Sequence, residues 1–189
     1  MADRLILASR SPQRRAILGQ LGIEFDVVVP ELEELESGPA EEVAMENARR
    51  KASVVAAEQP EATVLGADTV VSLDGQIYGK PADAAAAGET LRALAGRTHT
   101  VVSALWVIER GDVRAATATT RVTMRPADEA VIGWYLESGE WRGRAGGYAI
   151  QGRGAALVGA IEGDYTNVVG LPVAVLLGLL PGLVGRAPP

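Results

Sequence analysis

Asp68 and the two lysines of this sequence are the residues whose types and positions best suit chemistry on a charged ligand. Asp68 follows the small residues Gly66 and Ala67 at the predicted end of an apolar strand, where a ligand can approach the backbone. Lys51 and Lys80 are the only lysines among 18 Lys and Arg residues. An ammonium kept in such an arginine-rich chain indicates a point charge beside a phosphate or an acid, although chance retention of two surface lysines explains the count equally well.

The segment Ser9–Arg15 combines hydroxyls and cations with the start of a helix directly after a strand. Ser11 and Pro12 are typical N-cap and N1 residues, so unpaired backbone N–H groups and the positive end of the helix dipole could bind an anion here. The guanidinium of Arg14 could add paired hydrogen bonds to a phosphate. An ordinary capped surface helix with solvated arginines produces the same pattern, so this segment alone leaves both interpretations open.

Any metal site in this chain must be built from oxygen ligands. The sequence has no cysteine and a single histidine, His99, which excludes thiolate sites and histidine-rich zinc sites. Asp68 and the acidic loop around Glu33 and Glu34 could together hold a hard ion such as Mg²⁺ or Mn²⁺. A turn aspartate and a solvated run of glutamates are the alternatives. His99 lies on a predicted strand and is interpreted as a structural, hydrogen-bonded residue.

Residues Gly143–Gly154 form a segment with more glycine than packing alone requires. Glycine lets backbone atoms come close to a ligand, and the amide of Gln151 could contact the edge of a base from here. The segment lacks the Gly-Lys-Ser/Thr ending of a P-loop. A flexible loop is the alternative interpretation.

Hydrophobic periodicity places these residues on an α/β fold with a mixed sheet. Strands are predicted at 5–8, 25–29, 63–67, 69–73, 77–78, 98–108, 113–124 and 155–161, with Asp68 interrupting the third and fourth. Helices are predicted at 12–22, 39–59, 81–94, about 128–137 and near the C-terminus. We therefore expect one domain over residues 1–189, with a frayed tail at 185–189.

Composition excludes several classes of protein. A net charge of −6 and 4% aromatic residues argue against nucleic-acid binding, which needs a basic surface and stacking platforms. The apolar run Leu5–Ala8 is too short for a signal peptide, so we expect a cytoplasmic protein. Residues Val168–Gly185 are uncharged, but glycines and prolines interrupt them, which predicts a buried turn and helix rather than a membrane span.

A series of short motifs runs along the chain: Leu7-Ala8-Ser9-Arg10-Ser11-Pro12, Asn47-Ala48-Arg49-Arg50-Lys51-Ala52, Gly66-Ala67-Asp68-Thr69-Val70-Val71, Gly79-Lys80-Pro81, Gly96 with His99, Ala145-Gly146-Gly147-Tyr148-Ala149-Ile150-Gln151-Gly152 and Val169-Gly170-Leu171-Pro172-Val173. Taken together, they resemble the Maf family of nucleoside triphosphate pyrophosphatases. Several motifs in the same order are much more specific than one short pattern.

This resemblance implies an elongated α/β domain, with a mixed, twisted sheet flanked by helices around a deep cleft. It implies hydrolysis of a nucleoside triphosphate between the α and β phosphates, dependence on Mg²⁺ or a similar divalent ion, and a homodimer. It implies catalytic roles for Asp68, Lys51 and Lys80. Asp68 would act as the acid–base residue and, with Glu34, as a metal ligand.

The resemblance also assigns substrate contacts. Ser9 and Arg14 match phosphate-binding positions, and Thr69 and Gln151 match positions tied to the choice of base. The Tyr-Ala-Ile-Gln-Gly stretch ending at Gly152 resembles the branch that prefers dTTP and UTP, which is the substrate class we expect.

One departure from the family pattern is Gln13, which stands where the family usually has arginine after the Ser-Pro pair. A neutral amide cannot form the same charge-assisted hydrogen bonds. Either the substrate range is shifted, or Arg14 and Arg15 make the contact instead. Two other functions remain open: a pyrophosphatase acting on 7-methyl-GTP, and a regulator of cell division that binds nucleotide without turnover.

Overall fold

A mixed sheet forms the centre of the structure, a computed structural model that describes residues 4–184. The frayed tail predicted at 185–189 lies outside this range. Within it, one sheet contains seven strands: β1 (Leu5–Ala8), β2 (Asp26–Val27), β3 (Thr63–Leu73), β4 (Gln76–Tyr78), β5 (Thr98–Glu109), β6 (Asp112–Met124) and β7 (Val158–Glu162). The helices are α1 (Pro12–Gln20), α2 (Ala40–Glu58), α3 (Ala84–Leu94), α4 (Glu129–Glu137), α5 (Tyr165–Val169) and α6 (Val173–Leu179), with 3₁₀ turns at Ala145–Gly147 and Arg153–Leu157.

The strand order is β2-β1-β3-β5-β6-β7, with β4 also paired to β3. β1 runs parallel to β2 and β3, because α1 connects β1 to β2 and α2 connects β2 to β3 as crossovers. The remaining pairs are antiparallel. β5 and β6 are joined by Arg110 and Gly111, whose φ values of 50° and 89° fit a two-residue hairpin turn. The predicted α/β fold with a mixed sheet is confirmed.

The two edges of β3 are paired differently, and this difference creates an opening in the sheet. β5 pairs with β3 from Thr63 to Ser72 on one edge. On the other edge β1 ends opposite Gly66, and pairing with the antiparallel strand β4 starts only at Val71, opposite Tyr78. Within the described residues, 67–70 therefore have a partner strand on one side only.

Asp68 lies in the middle of β3 and pairs with Ala104 of β5. The prediction that Asp68 interrupts a strand and lies at its end was wrong. The interruption belongs to the opposite edge, where pairing with β1 has stopped and pairing with β4 has not begun. Small residues followed by a carboxylate are typical of the end of a strand, but here Gly66, Ala67 and Asp68 all pair with β5.

Helix α2 packs directly on β3 because the contacting residues are small. Ala48 and Ala52 are fully buried, and a Cβ atom added at Gly66 would lie 2.2 Å from the Ala48 carbonyl oxygen. This close approach brings Asn47 and Lys51, one turn apart on the buried face of α2, next to the open edge of β3.

The bounds of several other elements differ from those predicted. α3 begins at Ala84 rather than Pro81, because the Asp83 side chain caps it by accepting a hydrogen bond from the Ala86 N–H at 2.8 Å. β2 has two residues instead of five, and β7 begins at Val158 after a 3₁₀ turn.

The apolar C-terminal segment packs one side against the core rather than being wholly buried as predicted, and two short helices replace the single helix expected there. Gly170, with φ of 124°, ends α5, and Pro172 precedes α6. Leu171 and Leu176 are fully buried in a cluster that includes Leu7 of β1. No helix within residues 4–184 combines the length and hydrophobicity needed to cross a bilayer.

Gly66→Ala should lower the free energy of unfolding by about 3 kcal/mol, because the new methyl group would overpack the α2–β3 contact. Gly133→Ala in α4 is the matched control, since a Cβ there meets no atom within 4 Å and helix propensity favours alanine by about 0.5 to 1 kcal/mol. Urea unfolding of both variants would measure the difference. Equal stabilities would contradict close α2–β3 packing.

Candidate active site

A cleft opens at the unpaired edge of β3, between the start of α1, the loop after β2 and the glycine-rich segment. Its volume is about 1200 Å³ when the open solvent at its mouth is included. All nine candidate site residues from the sequence line it: Ser9, Gln13, Arg14, Glu34, Lys51, Asp68, Thr69, Lys80 and Gln151. The structure thus brings separate motifs around one space, while the roles of the individual residues stay predictions.

The ammonium of Lys51 is the centre of the cleft's charge network. Its Nζ lies 2.6 Å from Asp68 Oδ1 and 2.8 Å from Glu34 Oε1, and it also approaches the Ala67 carbonyl oxygen at 3.5 Å. The side chains of Lys51 and Asp68 are both only 8% exposed. Hydrogen bonds with charged partners are stronger when shielded from water, so Lys51 fixes both carboxylates on the floor of the cleft.

Glu34 links the two lysines. Its Oε1 contacts Lys51 and its Oε2 lies 3.5 Å from Lys80 Nζ. Burial by itself would raise the pKa of Glu34, but Lys51, Lys80 and Arg14 outweigh it and keep that pKa below its ordinary value of 4.5. Glu34 is therefore a carboxylate at neutral pH, whereas the Lys80 side chain is 52% exposed and lies at the open side of the cleft.

Asn47 is a site residue that the sequence reasoning missed. Its side chain donates to Asp68 Oδ2 at 3.1 Å and to the Leu35 carbonyl oxygen at 3.0 Å, and accepts from the Leu35 N–H at 2.8 Å. One buried amide thus holds both Asp68 and the loop that carries Glu34. Its signal in the sequence is a weak helix former placed one turn before Lys51.

Arg14 lies in the wall of the cleft and is buried. Its guanidinium donates to Ser9 Oγ at 2.9 Å, to the Gly170 carbonyl oxygen at 2.9 Å and to Thr69 Oγ1 at 3.1 Å. Burial lowers the pKa of Arg14, and the nearby carboxylates Asp68 and Glu34 partly oppose this effect. Arg14 ties three parts of the chain together around the cleft.

Gln13 contacts Arg144, a second residue that the sequence reasoning did not identify. Because guanidinium nitrogens can only donate, the Gln13 amide oxygen faces Arg144 and accepts from both of its terminal nitrogens, at 2.9 Å from one of them. The Gln13 amide nitrogen then donates to Ser11 Oγ at 2.9 Å. Arg15 instead donates to the Arg10 carbonyl oxygen at 3.2 Å, so the guanidinium beside Gln13 belongs to Arg144.

Gln151 is exposed on a turn closed by a hydrogen bond from the Gly152 N–H to the Ala149 carbonyl oxygen at 3.0 Å. The Glu140 carboxylate lies under this turn, where it accepts from the Arg153 N–H at 2.8 Å. A Cβ at Gly152 would lie 2.3 Å from Glu140 Oε2. The turn that carries Gln151 can therefore pack against Glu140 only with glycine at position 152.

Behind the cleft, His99 is buried and its Nε2 lies 2.9 Å from the hydroxyl of Tyr148, which lines the cleft. The His99 Nδ1 has no hydrogen-bond partner among the described residues. Burial lowers the pKa of His99 to about 4. The imidazole is therefore neutral at pH 7 and belongs to the packing behind the site.

Asp68 and Glu34 are the residues suited to hold a divalent ion. Within residues 4–184, no group of three or more His, Cys, Asp or Glu side chains is arranged to hold a metal. A hard ion at these two carboxylates would need further oxygen ligands from a bound phosphate and from water, which is the usual situation for Mg²⁺ in phosphoryl-transfer sites.

Comparison with known proteins gives consistent matches over almost the whole chain. The family model described as Maf-like protein matches residues 4–183. A protein from Deinococcus radiodurans named dTTP/UTP pyrophosphatase is 45% identical, over 96% of this chain and 93% of that protein. Proteins of the same name from Nitratidesulfovibrio vulgaris and Pyrococcus furiosus are 47% and 41% identical, over 95% and 94% of this chain and 87% and 94% of their own lengths.

His99 is the only histidine, so it gives this protein a measurable pH dependence. Its pKa falls from 6.5 in the unfolded chain to about 4 in the fold. The unfolded state therefore binds the proton first, and stability present above pH 6.5 is lost as the pH falls. Between pH 7 and pH 5 this loss should be about 2 kcal/mol.

Urea unfolding of the wild type and His99→Gln at pH 7 and pH 5 checks this expectation. The variant should lose much less stability than the wild type over the same interval. The depressed pKa of Glu34 contributes only below its ordinary value of 4.5, so it does not obscure the comparison. The same loss in both proteins would show that His99 is not the titrating group.

Proposed function

This chain belongs to the Maf family, and we propose that its cleft hydrolyses dTTP and UTP to the nucleoside monophosphates and pyrophosphate. The observation that carries the proposal is the contact of Asp68 with Lys51 and, through it, with Glu34 on the floor of the cleft. The relatives named dTTP/UTP pyrophosphatase, similar over almost their full lengths, support the same activity.

The charge of the cleft fits a polyphosphate, although the whole chain has a net charge of −6. Among the described residues that line it, cations outnumber carboxylates: they are Arg10, Arg14, Lys51, Lys80 and Arg144, against Glu34 and Asp68. A local excess of positive charge raises the local concentration of an anionic substrate. The cleft therefore attracts a small phosphorylated ligand on a surface that repels nucleic acid.

In the proposed reaction a water molecule attacks the α-phosphorus and transfers a proton to Asp68. The new bond joins the water oxygen to phosphorus, and the bond from phosphorus to the oxygen bridging to the β-phosphate breaks. The bonding electrons leave with pyrophosphate. Asp68 suits the role of base because Lys51 and Asn47 each hold one of its oxygens, which fixes its orientation and leaves lone pairs for the water.

Lys51 and Lys80 would stabilise the negative charge that develops on the leaving pyrophosphate. Lys51 is buried and already ordered by two carboxylates, so little reorganisation is needed during the reaction. Preorganised charges of this kind contribute roughly 3 kcal/mol each to transition-state stabilisation.

We also propose that the reaction depends on a divalent ion, Mg²⁺ or Mn²⁺, held by Asp68 and Glu34. Both residues supply hard oxygen ligands on one side of the cleft. When bound, such an ion neutralises phosphate charge and makes a bound water more acidic. A cytoplasmic location and a homodimer complete the proposal; the acidic net charge supports action on free nucleotides rather than nucleic acid.

Asp68→Asn should reduce turnover of UTP by at least about 100-fold, since the amide cannot accept the proton from water. Asp128→Asn is the matched control, because Asp128 caps α4 and does not line the cleft, and asparagine is an equally good N-cap. Release of pyrophosphate and thermal unfolding would be measured for both. Near-normal hydrolysis by a folded Asp68→Asn protein would remove Asp68 from the mechanism.

A substrate panel with the metal varied tests the activity itself. UTP and dTTP should yield UMP or dTMP with pyrophosphate, faster than 7-methyl-GTP yields its products, and only with Mg²⁺ or Mn²⁺ present. Preferred cleavage of 7-methyl-GTP would assign the other substrate class. Nucleotide binding without products under all metal conditions would favour a regulatory protein and contradict the proposal.

A further inference from the structure

We infer that Arg144 binds the polyphosphate of the substrate from the wall of the cleft opposite α1, where it exchanges the neutral amide of Gln13 for a phosphate. This inference deepens the proposed function and rests on it. It adds a residue to which neither the sequence motifs nor the resemblance assigned a role.

Among the described residues that line the cleft, three of the other four cations are already engaged by groups of the protein. Lys51 contacts two carboxylates and Lys80 contacts one. Arg14 is buried and donates to three oxygens of the protein. A phosphate that approached these groups would have to compete with existing ion pairs or with a buried hydrogen-bond network.

Arg144 is in a different state. No ion pair joins it to a carboxylate among the described residues, and its terminal nitrogens contact the uncharged amide of Gln13. Glu140 exerts an electrostatic influence on it without forming an ion pair. Because a phosphate oxygen is a much stronger acceptor for a guanidinium than an amide oxygen, an incoming polyphosphate can replace Gln13 at Arg144 without breaking a salt bridge.

The surroundings of Arg144 make this exchange favourable. Its side chain is partly buried, and its Nε has no hydrogen-bond partner among the described residues. Burial lowers the pKa of Arg144, which means that the charged form is incompletely compensated in this position. A phosphate anion at the terminal nitrogens of Arg144 would offset that cost by stabilising the charged guanidinium.

The position of Gln13 also indicates where the phosphate would lie. Gln13 is in the first turn of α1, next to the N-cap Ser11. Arg144 belongs to the segment on the other wall, which is anchored where the Gly146 N–H donates to the Gly79 carbonyl oxygen at 3.2 Å, directly before Lys80. A polyphosphate bound between these walls would contact Arg144 from one side and the first turn of α1 from the other.

The test measures binding of pyrophosphate and of uridine by the wild type and by Arg144→Gln, using isothermal titration and competitive inhibition of UTP hydrolysis. Arg144→Gln should weaken pyrophosphate binding about tenfold, as expected for one charge-assisted contact, and leave uridine binding within twofold. The pyrophosphate affinity of Arg144→Lys should fall between those of the wild type and Arg144→Gln, because lysine keeps the charge but loses the paired hydrogen bonds of the guanidinium.

Arg142→Gln is the matched control. Arg142 lies two positions away and stacks on the ring of Trp141 with its guanidinium carbon 4.6 Å from the ring centroid, and it does not line the cleft. It should bind pyrophosphate as the wild type does. The salt dependence of pyrophosphate affinity should become shallower only in Arg144→Gln.

Unchanged pyrophosphate binding by Arg144→Gln would overturn the inference, as would an equal loss for uridine and pyrophosphate, which would indicate a structural role. These results differ from a failure of the proposed function. If the wild type bound pyrophosphate through Arg144 but released no product from UTP, the activity would be wrong and Arg144 would remain an anion-binding residue.

Discussion

The buried ammonium of Lys51 between Asp68 and Glu34 is the interaction on which the site depends. Removing charges from water costs several kcal/mol per ion, and attraction between the partners repays this only when the remaining hydrogen bonds are also satisfied. Here Asn47 completes the second oxygen of Asp68, and the Ala67 carbonyl oxygen adds a contact to Lys51. The ion pairs of Lys51 therefore add little to the stability of the fold. They fix the positions of three charges, and the surrounding elements must hold those side chains in place.

The sheet and α2 provide that support in different ways. β3 carries Asp68 and Thr69 on a strand whose other edge is secured by β5, so these side chains are placed by a rigid element rather than by a loop. The absence of a side chain at Gly66 lets α2 approach until Lys51 and Asn47 reach Asp68. The walls of the cleft are formed largely by connections between elements, and these connections carry Glu34, Lys80, Arg144 and Gln151.

The sequence predicted most elements and all nine candidate residues that line the cleft, because periodicity and motif order are local properties of the chain. The position of Asp68 within a continuous strand could not be predicted, since it depends on which segment pairs with each edge. Asn47 and Arg144 were missed for a related reason. Their partners Asp68 and Gln13 are distant in the chain. A weak helix former one turn before Lys51, or an arginine in a glycine-rich segment, does not by itself indicate those contacts.

The open edge of residues 67–70 has a further consequence for the behaviour of the folded chain in solution. An unpaired stretch of strand is a template on which another polypeptide can add and begin to aggregate. In this protein the stretch is recessed beneath α2 and carries the Lys51–Asp68 pair at its centre. Inward-pointing charge and steric cover are two of the features that protect natural sheets from such association. The charged residues proposed to act in catalysis therefore also protect this unpaired strand edge from pairing with another chain.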